Sequence, residues 1–205
     1  MAMHKGKLKT GFMALKIELL HTDIKRTVVL PGDISLANLN DVIEAIIGWN
    51  GCYPWMFEKD GSVVCSAHED LAPVTGRMKG SFSDSTAMKV SLLLAKRGDK
   101  ITYTYNPDER WTHRITRMAD TRYDSPRCLK TQGTMCIEDL GGALGFMEFI
   151  VNLKEYDRNP KVRPKGDFME ILKWSGFGNT KLRKEFLLGP TCDDVTKLLE
   201  QILGK

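Results

Sequence analysis

No stretch of this 205-residue chain approaches the ~18 consecutive apolar residues that a membrane-spanning helix needs, so no membrane partner is expected. Cysteine is sparse, odd in number and scattered: Cys52, Cys65, Cys128, Cys136 and Cys192 do not form the dense, even framework of a small secreted domain. An excess of one charge is also missing, since 30 Lys and Arg face 26 Asp and Glu for a net +4. That balance excludes an acidic or basic tail-like protein and does not by itself imply nucleic acid. No nucleophile elbow, phosphate loop or zincin pattern is present, and no segment repeats. The start of the chain is basic and then apolar, but Lys16 and Glu18 interrupt the apolar run and no small-residue cleavage site follows. The expected compartment is the reducing cytoplasm.

What remains is an ordinary globular composition, 42% hydrophobic and 27% charged. A chain of this length buries roughly 70% of its unfolded surface, so folding needs no staple. Alternation of Met13, Leu15, Ile17 and Leu19 with Ala14, Lys16 and Glu18 predicts a half-buried strand, and Thr27 to Leu30 a second, ended by Pro31-Gly32. Leu36, Leu39, Val42, Ile43, Ile46 and Ile47 then fall on one helical stripe, with Ser35 as N-cap and Gly48 as stop. Tyr53, Trp55 and Phe57 share a strand face before the Asp60-Gly61 turn, which leads into Ser62 to Cys65. Residues 66–89 read as a long polar excursion, and Lys89 to Lys96 is too short to assign.

Ile101, Tyr103 and Tyr105, then Trp111, His113 and Ile115, alternate with threonines and Arg114 on either side of Pro107-Asp108. This predicts an antiparallel hairpin with aromatics on one face and Arg114 on the other. Cys128 to Gly142 reads as irregular, followed by a helix carrying Leu144, Met147, Ile150, Val151 and Leu153. Two C-terminal helices are expected: Phe168 to Trp174 capped by Asp167, and Asp193 to Leu203 capped by Thr191 and stopped by Gly204. The fold class is therefore α+β, a largely antiparallel sheet covered by helices. The expected division is a main domain over residues 1–157 and a helical extension over 158–205 packed on it.

Three pieces of sequence, in order, carry a family resemblance: VVLPGDISLANLNDVIEAIIGW, TYTYNPDERWTHRI and PRCLKTQGTMCIEDLGGALGFMEFI. Together they resemble the pRiA-plasmid ORF-three-like family of uncharacterised proteins, over Leu15 to Leu153, with the tail after Asp157 outside the match. The resemblance implies no established activity, only a genomic association of some members with plasmids and insertion elements. The chain departs from the family pattern at Tyr53 and Trp55, where histidines are usual. It departs again at Asn106-Pro107-Asp108-Glu109, which lacks the family's first acid and glycine, and at the shortened Cys136-Ile137-Glu138-Asp139.

Within the matched block three chemistries are open. His113, Cys128 and Cys136 offer an imidazole and two thiolates for zinc, with Glu138 or Asp139 beside them. Equally, the cysteines fit as small buried hydrophobes. His113 with Glu109, Glu138 and Asp139 offers acid–base chemistry, whereas a structural reading makes Asp139 a helix cap and Glu138 a dipole partner. Gly141-Gly142 ahead of a helix exposes N–H groups to an anion, or simply permits a tight turn. Arg110, Arg114, Arg117, Arg122, Arg127 and Lys130 face only Asp120 and Asp124 in their stretch, which suits nucleic acid or another anionic partner as well as a solvated strand face. Two functions are therefore carried. The first is a binding or accessory protein, mobile-element associated, meeting an anionic partner through Trp111, Arg114, Gly141 and Gly142. The second is a metal-dependent or acid–base hydrolase centred on His113, Glu138 and Asp139.

Overall fold

The structure, a computed structural model, describes residues 11–60, 62–65, 88–162, 164 and 166–204. Nearly all of the polar excursion at 66–89 lies outside them. Strands β1 (Phe12–Leu19), β2 (Lys25–Pro31), β3 (Trp55–Lys59), β4 (Ser62–Cys65), β5 (Lys100–Tyr105), β6 (Trp111–Asp120) and β7 (Arg127–Gln132) form one sheet. Its order is β4-β3-β5-β6-β1-β2-β7, and every neighbouring pair is antiparallel. The helices are α1 (Leu36–Ile47), the single turn α2 (Val90–Leu93), α3 (Gly142–Arg158), α4 (Phe168–Trp174), α5 (Thr180–Leu188) and α6 (Cys192–Leu203). The protein is thus α+β.

Pleat parity decides where the helices lie. The apolar sheet residues of the core, among them Leu15, Ile17, Val28, Leu30, Phe57, Tyr103, Trp111 and Ile115, all belong to one face. Every described helix adds to that same core, through Leu39 and Ile43 of α1, Val90 of α2, Phe146 and Phe149 of α3, Leu172 of α4, the partly buried Phe186 of α5 and Leu199 of α6. The other face bears no described helix.

The helix at Leu36–Ile47 follows its sequence pattern: the Ser35 hydroxyl accepts the Asn38 N–H, and Gly48 turns left-handed at φ 106°. Arg26 shares the inner pleat face with Val28 and is completely buried. Its guanidinium donates to the carbonyls of Ile46 (3.2 Å), Thr134 (2.7 Å), Lys25 (3.1 Å) and Gln132. Burial draws its pKa down, and the C-terminal carbonyls of α1 supply the compensating negative end of a helix dipole. One side chain therefore ties α1, β2 and the segment after β7 together.

The structure departs from the sequence expectation in several places. Cys128 to Gly142 begins as strand β7, not as irregular chain. Its alternation is broken by an extra residue, Leu129, between the pairs Val28–Cys128 and Thr27–Lys130. In α3 the buried residues are Ala143, Phe146, Phe149, Ile150 and Leu153, while Leu144 and Val151 are exposed. A further helix, α5, stands between the two expected in the tail, and Asp167 makes no side-chain cap on α4. In α5 the buried Arg183 donates to Asp157 Oδ1 at 2.8 Å and to the Phe177 carbonyl at 2.7 Å. α6 begins as expected at a Thr191–Asp194 capping box. Thr196 then docks it against edge strand β7, accepting the Cys128 N–H at 3.0 Å while donating to the Cys192 carbonyl at 2.7 Å.

Candidate functional site

The hairpin connecting β5 and β6 turns through two left-handed residues, Asn106 (φ 46°) and Arg110 (φ 56°), closed by the Arg110 N–H on the Asn106 carbonyl at 2.7 Å. This turn presents the Glu109 carboxylate to both halves of the matched motif. One oxygen accepts the Trp111 indole N–H at 2.7 Å, and the other accepts the Gly141 N–H at 3.0 Å. The Gly141 N–H, for which the sequence left open an external anion or a simple tight turn, is taken by the protein's own carboxylate. Trp111 is fully buried and meets Phe146 of α3 edge-on at 6.1 Å.

Glu138 and Asp139 face the loop that follows α1. Glu138 Oε1 accepts from the Tyr105 hydroxyl at 2.6 Å and from the Asn50 N–H at 3.2 Å, and Asp139 accepts from the Tyr53 hydroxyl. The hydrogen bond from Tyr53, followed by burial, pushes that phenol up to about 12. Burial and then the Glu138 hydrogen bond hold Tyr105 well above the ordinary phenol range. Asp139 is not the helix cap: the cap position is Gly141, and Asp139 itself is left-handed at φ 62°. Tyr53, which stands where the family has histidine, thus serves as a donor to this turn.

His113 does not join those acids. It lies in an aromatic nest, 5.2 Å from Trp49 and 5.4 Å from Tyr103 between ring centroids, with Trp49 stacked on Tyr105 at 4.3 Å. Among the described residues neither ring nitrogen completes a hydrogen bond of good geometry, and the polar groups close to the ring are the Trp111 and Tyr103 backbone. Complete burial drives its pKa down to about 3, weakly opposed by the nearby Trp111 and Tyr103 backbone, so the imidazole is neutral at physiological pH. Cys128 and Cys136 sit across the sheet near Arg26. Burial and a hydrogen bond with Cys192 push Cys128 up to about 12, and burial holds Cys136 well above the ordinary thiol range. Among the described residues no three His, Cys, Asp or Glu side chains are grouped to hold a metal ion.

One titrating carboxyl escapes the sequence pattern. Glu44, near the end of α1, is pushed up to about 7, first by burial and further by the charges of Asp41 and Glu138, against a hydrogen bond from Asn40. Asn40 in turn accepts the buried Tyr103 hydroxyl at 2.6 Å. The available signal is the helical stripe, which places Asn40 among buried positions.

The open sheet face is built differently. Parity sends Arg114 outward, as the alternation predicts, and register aligns it with Glu18 of β1 and Thr102 of β5; Glu18 in turn pairs with Lys25 of β2. The next outward row aligns Thr116, Lys16, Thr27 and Lys130. Glu18 binds Lys16 at 3.0 Å and Lys25 at 3.7 Å. Burial acts to raise its pKa, but the Lys16 hydrogen bond and the charges of Lys16, Lys25 and Arg114 hold it below the usual carboxylate range. Lys130 makes no ion pair among the described residues. The face therefore carries Lys16, Lys25, Lys100, Arg114 and Lys130 against Glu18 and Glu58, separated by threonines.

A seven-stranded antiparallel sheet with its described helices on one side and a basic, threonine-rich face on the other defines the class of protein. The family signature described as "Plasmid pRiA4b ORF-3-like protein" matches residues 12–181, so the chain belongs to that family, and the match runs beyond Asp157 into the helical tail. The chain is 26% identical over 172 residues, 79% of each chain, to "Uncharacterized protein y4hQ" of Sinorhizobium fredii. Its fold is similar to that of a solved "Protein of Unknown Function MM3350" from Methanosarcina mazei Go1, with a TM-score of 0.60 at 16% identity over 80% of this chain and 88% of that one. No helix among the described residues is long and apolar enough to cross a membrane.

Proposed function

We propose that this protein is a non-enzymatic accessory protein that binds nucleic acid, meeting the phosphate backbone with the open face of its sheet. The observation that carries the reading is the convergence of Lys16, Lys25, Arg114 and Lys130 from four strands on one face that bears no described helix. Basic groups at strand spacing with hydroxyls between them suit a polyanion, because lysine and arginine displace condensed counterions while threonines donate to phosphate oxygens. Free thiols at Cys52, Cys128, Cys136 and Cys192 fit a reducing compartment such as the cytoplasm. Association with mobile elements fits a DNA-handling role and rests on the family's plasmid-derived description alone.

The geometry gives a hydrolase little to work with. Its candidate base, His113, is buried among rings and hydrogen-bonded to no carboxylate among the described residues, and Glu109, Glu138 and Asp139 are each engaged by the protein's own donors. The test of the binding reading is an electrophoretic shift with labelled DNA across a salt series. Four phosphate contacts give a slope of log K on log salt of about −3 to −4. Binding that is absent at low salt, or insensitive to salt, rejects it.

A further inference from the structure

Two ladders break register on the open face, and the breaks adjoin. Opposite the single residue Ala14, β6 places both Met118 and Ala119, between the pairs Met13–Asp120 and Leu15–Arg117. On the other flank, β7 inserts Leu129 between its partners for Thr27 and Val28. Bulges bend a strand and re-aim its side chains, and here they frame a hollow of about 510 Å³. Its floor and walls include Ala14, Thr27, Met118, Tyr123 and Leu129. Met118, Tyr123 and Leu129 are 36%, 41% and 39% exposed, a grouping of large apolar side chains on the face that also holds the buried Ala14 and Val29. The Arg127 guanidinium lies 4.3 Å from the Tyr123 ring centre and braces it.

A second cavity of about 180 Å³ adjoins the first, lined by Lys16, Lys25, Lys130, Gln132 and the same Thr27. An apolar, aromatic hollow thus shares a wall with a cationic one. Two of the acids nearby are engaged, Asp120 with Arg117 at 3.2 Å and Glu18 with Lys16 and Lys25, while Asp124, next to Tyr123, forms no ion pair among the described residues. Arg97 and Arg122, which also line the larger hollow, form no ion pair among the described residues.

The geometry points to single-stranded nucleic acid as the occupant, with one nucleobase in the hollow against Met118, Tyr123 and Leu129 and its phosphate beside Lys16, Lys25 and Lys130. A base offers a flat apolar face to such a floor and hydrogen-bonding edges to the arginines, whereas a hydrocarbon chain would desolvate those charges without compensation. A duplex keeps its bases paired, so it would leave the hollow empty and use only the cations. The hairpin aromatics Tyr103, Tyr105 and Trp111 are core residues, and Tyr123 takes the stacking role they cannot. This inference rests on the nucleic-acid reading above and adds strandedness and a base site.

The test is fluorescence anisotropy with a labelled oligothymidylate of about a dozen residues, a duplex of the same length and an abasic strand of the same length. Vesicles of phosphatidylglycerol serve as the competing anionic surface. Oligothymidylate is expected to bind best. Tyr123→Ala or Leu129→Ser, each checked for native circular dichroism, weakens oligothymidylate about tenfold and leaves the abasic strand unchanged. Lys130→Glu weakens both strands. Equal binding of thymidylate, abasic strand and duplex, insensitive to Tyr123 and Leu129, overturns the base site and leaves the backbone reading standing. Binding to vesicles alone, or to none of the probes, overturns both.

Discussion

The backbone carbonyl of Glu109 fills the space that a Cβ on Gly142 would need, and Gly142 itself is left-handed at φ 74°. The hairpin turn and the start of α3 are therefore fitted to each other at backbone level, with the Glu109 side chain completing the join.

Gly142→Ala must both strain the backbone and push the turn away, and a loss on the order of 2 kcal/mol or more is expected. Gly141→Ala is the control: it is also left-handed, at φ 77°, but a Cβ added there would meet nothing within 4 Å, so a loss of about 1 kcal/mol is expected. Urea denaturation of the two variants compares them directly. Equal losses would show that the Glu109 contact is immaterial.

Glu109→Ala removes one acceptor from two donors, of which the Trp111 indole N–H is buried. About 2 kcal/mol should be lost. Combined with Gly142→Ala, the losses should fall short of additivity, because both changes open the same join. Strict additivity would place the two effects in separate structures.

His113 titrates near 6.5 when unfolded and at about 3 when folded. Between those values the unfolded chain holds a proton that the folded chain does not, so stability falls as pH drops from 6.5 toward 3. The His113→Phe variant keeps an aromatic ring in the nest and should lack this component of acid loss, which amounts to about 5 kcal/mol at most. Denaturation midpoints across the acid range measure it. An unchanged acid limb would mean that His113 is not buried as described.

Glu44 works with the opposite sign. Its folded value of about 7 lies above the ordinary carboxyl value of 4.5, so the folded chain holds the extra proton and stability falls as pH rises through that window. Glu44→Gln should flatten this decline, by about 1 kcal/mol after allowing for solvent screening of a half-buried group. A variant whose decline between these pH values matches the parent would remove Glu44 as its source.

What is legible in the sequence is what local periodicity encodes. Ser35, the Leu36–Ile47 stripe and Gly48 place α1, and alternation around Arg114 places the hairpin faces. β7 is hidden because Leu129 interrupts its alternation. The buried face of α3 is ambiguous locally, because Leu144, Met147 and Val151 form a second apolar stripe beside Ala143, Phe146, Ile150 and Leu153, and periodicity alone does not choose between them. α5 has only Leu182 and Phe186 to Leu188 as apolar residues, and it buries Arg183 through an ion pair that no hydrophobic pattern announces. Lys16, Lys25, Arg114 and Lys130 are far apart in sequence and become one surface only through strand order. Local charge clustering reveals only the 110–130 part of it.

Holding a nucleic-acid backbone is the role proposed for this surface. The most direct measurement is the DNA affinity of the Lys25→Glu, Arg114→Glu, Lys130→Glu triple variant against the parent at fixed low salt, with native circular dichroism verified for both. That role predicts an affinity loss of at least about a hundredfold and a salt dependence reduced by about three phosphate contacts. Unchanged affinity and unchanged salt slope in a folded triple variant would contradict it.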